Sequence, residues 1–180
     1  MAETAPTLET ERLVLRPLRA DDLDDHAALF ADPEVVRYLG SQPLVREEAW
    51  RRLSAVHGAW SLLGFGFWAI ESREDKSYSG VVGFADFKRE MTPGLGDGPE
   101  MGWIVAPRFH GRGMASEAVT AALAWADNAL GAPEIAAIID PENAASIRVA
   151  EKAGFRSAGP ALYRGETILT FRRPASRASD

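Results

Sequence analysis

The residues whose types and spacing best suit them to chemistry lie in one short stretch, VAPRFHGRGMASEAV, residues 105–119. Gly111 and Gly113 stand one residue apart, flanked by Arg108, His110 and Arg112, each able to carry positive charge. An apolar run, EMGWIVA, precedes the stretch and an Ala-rich pattern of helical period follows it. Where a strand gives way to a helix, the first main-chain N–H groups have no partner and the helix dipole makes that end positive. Here those groups belong to Gly111 through Met114, Ala115 and Ser116. Glycine lets an anion approach without a Cβ in the way, so a phosphate or pyrophosphate suits the turn. The competing explanation is a tight connection that needs glycine only for its torsion angles. Two standard phosphate loops fail. No Gly-Lys-Ser/Thr occurs, and Ser116 stands where the dinucleotide fingerprint needs its third Gly or Ala.

Composition removes other chemistries. With no cysteine there is no thiol nucleophile, disulfide framework or thiolate metal site, and three scattered histidines make no credible metal centre. A formal net charge of −6 argues against non-specific nucleic-acid binding and leans mildly toward a cationic small molecule or basic peptide. No apolar run reaches the ~20 residues of a membrane span, and no secretory leader is visible, so a cytoplasmic protein is expected. His26, His57 and the tryptophans read as surface, core or pocket wall. No Gly-x-Ser-x-Gly elbow is present.

The elements that must position the loop follow from periodicity. RLVLRPL (12–18) alternates as a half-buried strand, ADDLDDHAALFAD reads as a helix with an acidic first turn, and Pro33 opens a short helical piece. A longer helix covers REEAWRRLSAVHGAWSLL and ends near Gly64. Three strand candidates, FGFWAIES, YSGVVGFADFKRE and PEMGWIVA, are joined by turn-rich connectors and suggest an antiparallel meander. The pattern then becomes strand–helix–strand, with the helix over about 114–129 and EIAAIID as a second, parallel strand. The apolar positions of that helix are read as Met114, Ala118, Ala121, Ala122, Trp125 and Ala129. A further helix runs from about Ala144 to Ala153, with Asn143 as N-cap and Gly154–Phe155 as a glycine C-cap with its apolar follower. Two strands end one domain over 1–173. Residues 174–180 are expected to be a disordered tail.

The sequence RFHGRG fits Arg/Gln-x-x-Gly-x-Gly/Ala through Arg108, Gly111 and Gly113, and so resembles the coenzyme-A signature of the GNAT N-acetyltransferase superfamily. ETERLVLRPLRADDLDDHAALFADPEVVRYLG resembles the N-terminal block of the branch holding the ribosomal-protein N-terminal acetyltransferases. PENAASIRVAEKAGF resembles the helix flanking the coenzyme's pantetheine arm. The resemblance implies an α/β (α+β) fold: a mixed, mostly antiparallel, seven-stranded sheet, helices on both faces, and two central parallel strands that splay apart around acetyl-CoA. It implies acetyl transfer, without a metal, to a primary amine on a protein N-terminus or a small molecule, and is compatible with a homodimer.

Roles follow residue by residue. The coenzyme would be held by Arg108, His110, Gly111, Arg112, Gly113, Met114, Ala115, Ser116 and Asn143, with main-chain N–H groups near Ile104 and Val105 polarising the thioester. Many relatives carry Asn-x-x-Ala-x-x-Leu-Tyr, with Tyr as thiolate proton donor. Ala150 fills that Tyr slot here and Ser146 the Ala slot. The ribosomal-protein branch resembles this chain there, with a Ser as its donor, so the resemblance implies Ser146 as the donor. The alternative is a hydroxyl that hydrogen-bonds the helix N-terminus with Asn143. Glu100 is the expected base, through water, with Glu166 the second candidate and no dedicated base a third possibility. Acceptor choice is expected from segments 33–65, 88–99 and 157–166. The missing Tyr also leaves room for a non-catalytic acyl-CoA binding or sensing module.

Overall fold

A computed structural model describes residues 4–131 and 133–175. The strands are β1 (Leu8–Glu9), β2 (Leu13–Pro17), β3 (Phe67–Ser72), β4 (Tyr78–Ala85), β5 (Met91–Thr92), β6 (Glu100–Val105), β7 (Ile135–Ile139), β8 (Arg156–Tyr163) and β9 (Glu166–Arg173). The helices are α1 (Leu23–Ala31), α2 (Pro33–Val36), α3 (Arg46–Leu63), α4 (Met114–Ala129) and α5 (Ala144–Lys152). The strands form one sheet in the order β1-β2-β3-β4-β6-β7-β9-β8-β5. Seven strands were expected and nine are present among the described residues. The extra two, β1 and β5, are two-residue pairings too short to show a period in sequence. The expected strand over 78–90 stops at Ala85, and the residues beyond position 175 lie outside the described part of the chain.

Alternation along the strands sends side chains to opposite sheet faces. Leu15, Trp68, Ile70, Val82, Phe84 and Met101 pack with α4 on one face. Phe67, Ala69, Val81 and Ala85 pack with Leu29, Phe30, Val35, Val36 and Leu53 of α1–α3 on the other. Helices thus cover both faces, as expected. On α4 the buried stripe is Met114, Ala118, Val119, Ala122, Leu123 and Ala126. Ala121 and Trp125 are only half-buried at its edge, and Ala129 is exposed, which corrects the stripe read from sequence. The alanines hid which of two overlapping stripes lies deeper. Trp125 instead meets Trp60 and Trp68 edge-on at 5.3 and 5.1 Å.

The sheet parts at its centre. β6 stays paired with β4 over its whole length, from Glu100↔Ala85 to Val105↔Gly80, and β7 stays paired with β9 from Ile135↔Arg173 to Ile139↔Leu169. Between them the parallel register consists of the single pair Glu100↔Ala136, with the Ala136 N–H donating to the Pro99 carbonyl at 3.1 Å. Beyond that pair each strand follows its own antiparallel partner, and a gap opens. Gly80 brings β4 tight against the far end of β6: a Cβ there would stand 2.0 Å from the Ile104 carbonyl oxygen.

Candidate active site

Three segments converge on the gap. The first is the bend after β6, a 3-10 turn over Pro107–Phe109 followed by His110–Gly113 and the start of α4. Gly111 and Gly113 have φ +73° and +75°, the left-handed region that disfavours other residues. A Cβ at Gly111 would meet nothing within 4 Å, so torsion rather than crowding within the chain selects glycine there, and the space above it is open. The first helical bond is donated by Glu117 to the Gly113 carbonyl. The N–H groups of Gly111 through Ser116 therefore have no acceptor among the described residues.

The flanking cations divide. The Arg108 side chain donates to the Tyr78 carbonyl at 2.9 Å and lies over Phe109, so it splints the turn to β4. His110 Nε2 donates to the Val105 carbonyl at 2.7 Å. Arg112 is exposed, and its own carbonyl accepts from Arg12 Nη1 at 2.7 Å. Arg12 and Thr10 also grip Glu117, at 2.7 Å from Arg12 Nε and 2.6 Å from the Thr10 hydroxyl. Partial burial presses the Glu117 pKa upward, but the bonds from Thr10 and Arg12 outweigh it and hold the carboxyl below its usual range. This clamp was missed in the sequence. Glu117 reads there as an ordinary first-turn acid, and its partners lie more than a hundred residues away.

The second segment is β6 itself. The Ala106 N–H donates to Ser79 of the β4 side at 2.8 Å, so alternation turns the main-chain groups of Ile104 toward β4 as well. Those of Val105 and Trp103 face the gap, which agrees with the His110 bond to the Val105 carbonyl. Of the two amides singled out in the sequence, only that of Val105 points where a ligand in the gap would lie. The third segment is the start of α5. The Asn143 side chain caps the helix, accepting from the Ser146 N–H at 3.0 Å. The Ser146 hydroxyl makes no hydrogen bond among the described residues, which leaves it available. Ala150, in the slot of the absent phenol, is fully buried. Phe155 N–H donates to the Ala150 carbonyl at 3.0 Å, closing the helix as the glycine-cap pattern predicts.

A cavity of about 550 Å³ joins the gap to the α1–α3 face. Gly102, Trp103 and Ile104 line one side, and Ile138, Asn143 and Ser146 the other. Segments 33–65, 88–99 and 157–166 supply Tyr38 and Arg52, Arg89, and Tyr163 respectively, so all three segments singled out for acceptor choice reach it. Glu100 and Glu166 also line it, whereas Val105, Arg108 and the bend from His110 to Ser116 lie outside its walls. Glu100 is 7% exposed, and both its oxygens are taken by Arg89, at 2.6 Å from Nε and 2.8 Å from Nη2. Arg89 in turn donates to the Tyr163 hydroxyl at 2.9 Å. No local sequence signal announces that network, because its members come from a loop and two distant strands. His26 is core and His57 is exposed. No group of three side chains able to hold a metal lies together among the described residues.

This arrangement, two splayed parallel strands with an unpaired amide run at the end of one and a capped helix beside the other, agrees with comparison to known proteins. The model of the acetyltransferase (GNAT) domain matches residues 12–156, and the chain belongs to that family. A GnaT-family acetyltransferase from Bordetella pertussis is 32% identical and superimposes with a TM-score of 0.83, covering 94% of this chain and 99% of that one. The uncharacterised N-acetyltransferase YoaA of Bacillus subtilis is 30% identical over 155 residues, 86% of this chain and 85% of that protein. The ribosomal α-N-protein acetyltransferase RimL, solved in complex with coenzyme A, shares the fold at 15% identity, with a TM-score of 0.76 over 94% and 98% of the two chains. The family makes the protein an acetyltransferase enzyme, in place of the binding module that the missing Tyr left open. Among the described residues no helix is long and apolar enough to cross a membrane.

Proposed function

We propose that the protein transfers an acetyl group from acetyl-CoA to a primary amine by direct attack of the amine on the thioester. The observation that carries this reading is the continuity of the opened β6–β7 gap with both the cavity and the strand end that leads to the free amides of Gly111–Ser116. Those amides, the helix dipole of α4 and the exposed Arg112 would take the diphosphate. The Arg12 clamp neutralises Glu117, which would otherwise set a carboxylate beside it. Asn143, already fixed as a cap, borders the path of the pantetheine arm.

The Val105 N–H polarises the thioester carbonyl. A preorganised donor of this kind is typically worth about 3 kcal/mol of barrier. A C–N bond forms as the C–S bond breaks. The Ser146 hydroxyl passes its proton to the departing sulfur and regains one from water, while the amine gives up one N–H proton to solvent. Glu100 is assigned to hold Arg89 in place rather than to accept that proton, since protonation would break a bidentate pair withdrawn from water. The neutral fraction of the amine then supplies the nucleophile.

The acceptor is a protein N-terminus or a small amine. The likeness to the ribosomal-protein branch supports the first, and a partly enclosed cavity supports the second. Mass spectrometry of a peptide and amine library after incubation with acetyl-CoA tests the reading. Mass increments of one acetyl group on a subset of amines are expected. Coenzyme binding with no acetylated product on any amine would refute it.

A further inference from the structure

Arg52 is the residue of α3 that lines the cavity. Its guanidinium lies 4.4 Å over the ring of Phe30, another lining residue. Among the described residues no carboxylate pairs with it and no acceptor takes its N–H groups. The contrast with the other arginines drawn in from solvent is plain. Arg16 holds Asp22 and Glu71, Arg89 holds Glu100, Arg172 holds Glu134 and Arg173 holds Asp127. Arginines without a carboxylate partner elsewhere, such as Arg112, Arg148, Arg156 and Arg164, are exposed to water.

No neighbour supplies the missing charge. Asp22 is taken by Arg16, and Arg89 adds a second cation on the same side. His26 is neutral near pH 7, its pKa driven down to about 4 by burial and then by Arg52 itself. The Tyr78 phenol is pushed up by burial and stays protonated. Burial, followed by the nearby Arg89, presses the Arg52 pKa down, the mark of a cation without compensation. A guanidinium partly withdrawn from water without an anion is costly, and an aromatic face offsets only part of that cost.

We propose that the acceptor amine also carries a carboxylate, and that Arg52 binds that carboxylate on the cavity wall formed by α3. This rests on the acetyl-transfer reading above and narrows its substrate to amino-acid-like amines or peptides with an acidic side chain near the N-terminus. It excludes polyamines as good acceptors, against the mild leaning of the chain's net negative charge toward cationic partners. Arginine suits the task because its planar fork meets both oxygens of a carboxylate.

The test compares thiol release from acetyl-CoA for matched amines that differ only as carboxylate and carboxamide. Free amino acids form one arm, short peptides with acidic or amidated second residues another, and spermidine is included. A ratio of kcat/KM, carboxylate over amide, of ten or more is expected in at least one arm, and that arm names the source. Arg52→Gln should bring the ratio near one, and Arg52→Lys should keep part of it. A ratio near one in the native protein, or one that Arg52→Gln leaves intact, overturns the proposal. Calorimetry with N-acetylglutamate and its diamide keeps the two readings apart. Binding of the carboxylate alone, lost in Arg52→Gln, upholds the anion site even if no amine is acetylated. Equal binding of the two probes refutes the anion site whatever the turnover.

Discussion

At the scale of single residues, the proposed reaction asks most of Ser146. Its neighbour in the cap, Asn143, is committed to the helix end through the Ser146 N–H, so the hydroxyl is the free group at that corner. Ser146→Ala should lower kcat about 10- to 100-fold while leaving the dissociation constant of coenzyme A within about twofold. Steady-state kinetics beside calorimetry checks this, and equal losses in both quantities would make the hydroxyl structural. Asn143 as a cap and the two loop glycines were legible because each sits at a position where local backbone geometry dictates residue type, whereas Ser146 was singled out by the family resemblance alone. Arg89 with Glu100, Arg12 with Glu117, and the lone Arg52 were not. Each gains its meaning from a side chain on another segment of the chain, which no periodicity encodes.

At the scale of elements, helix α1 is fastened to β4 by a buried contact between His26 Nδ1 and the Tyr78 hydroxyl at 2.8 Å. His26 is 1% exposed, and its Nε2 has no partner among the described residues. Its folded pKa of about 4 lies below the ordinary 6.5, so between those values the unfolded chain binds a proton that the native protein refuses. This contribution to stability is complete above about pH 6.5 and is lost as pH falls toward 4, on the order of 3 kcal/mol in all. Urea unfolding at pH 7 and pH 4.5 should show His26→Gln losing distinctly less stability than the native chain over that interval. A parallel loss in both proteins would contradict the assignment. The long elements α3, α4, α5 and the last hairpin were readable from period and caps. Strands β1 and β5 were not, because two-residue pairings are decided by the neighbour they find.

At the scale of the whole molecule, the decisive feature is a sheet that is continuous in pairing yet held at its middle by one parallel residue pair. The order of elements in sequence implied a parallel pair there; that it parts so early follows from the competing grip of β4 and β9. A ligand filling the gap should tie the halves together. At a hundred times its dissociation constant, coenzyme A should add about 2.7 kcal/mol and raise Tm by roughly 5–10 °C in scanning calorimetry. An unchanged Tm at that concentration would count against a site bridging the two halves. Amide NMR of the uniformly 15N-labelled protein titrated with coenzyme A locates the coenzyme on the main chain directly. The largest shifts are expected at Val105 and at Gly111 through Ser116, and their loss, with the remaining spectrum preserved, in Gly111→Val. Saturating coenzyme that leaves those amides unmoved while shifting others would contradict that placement.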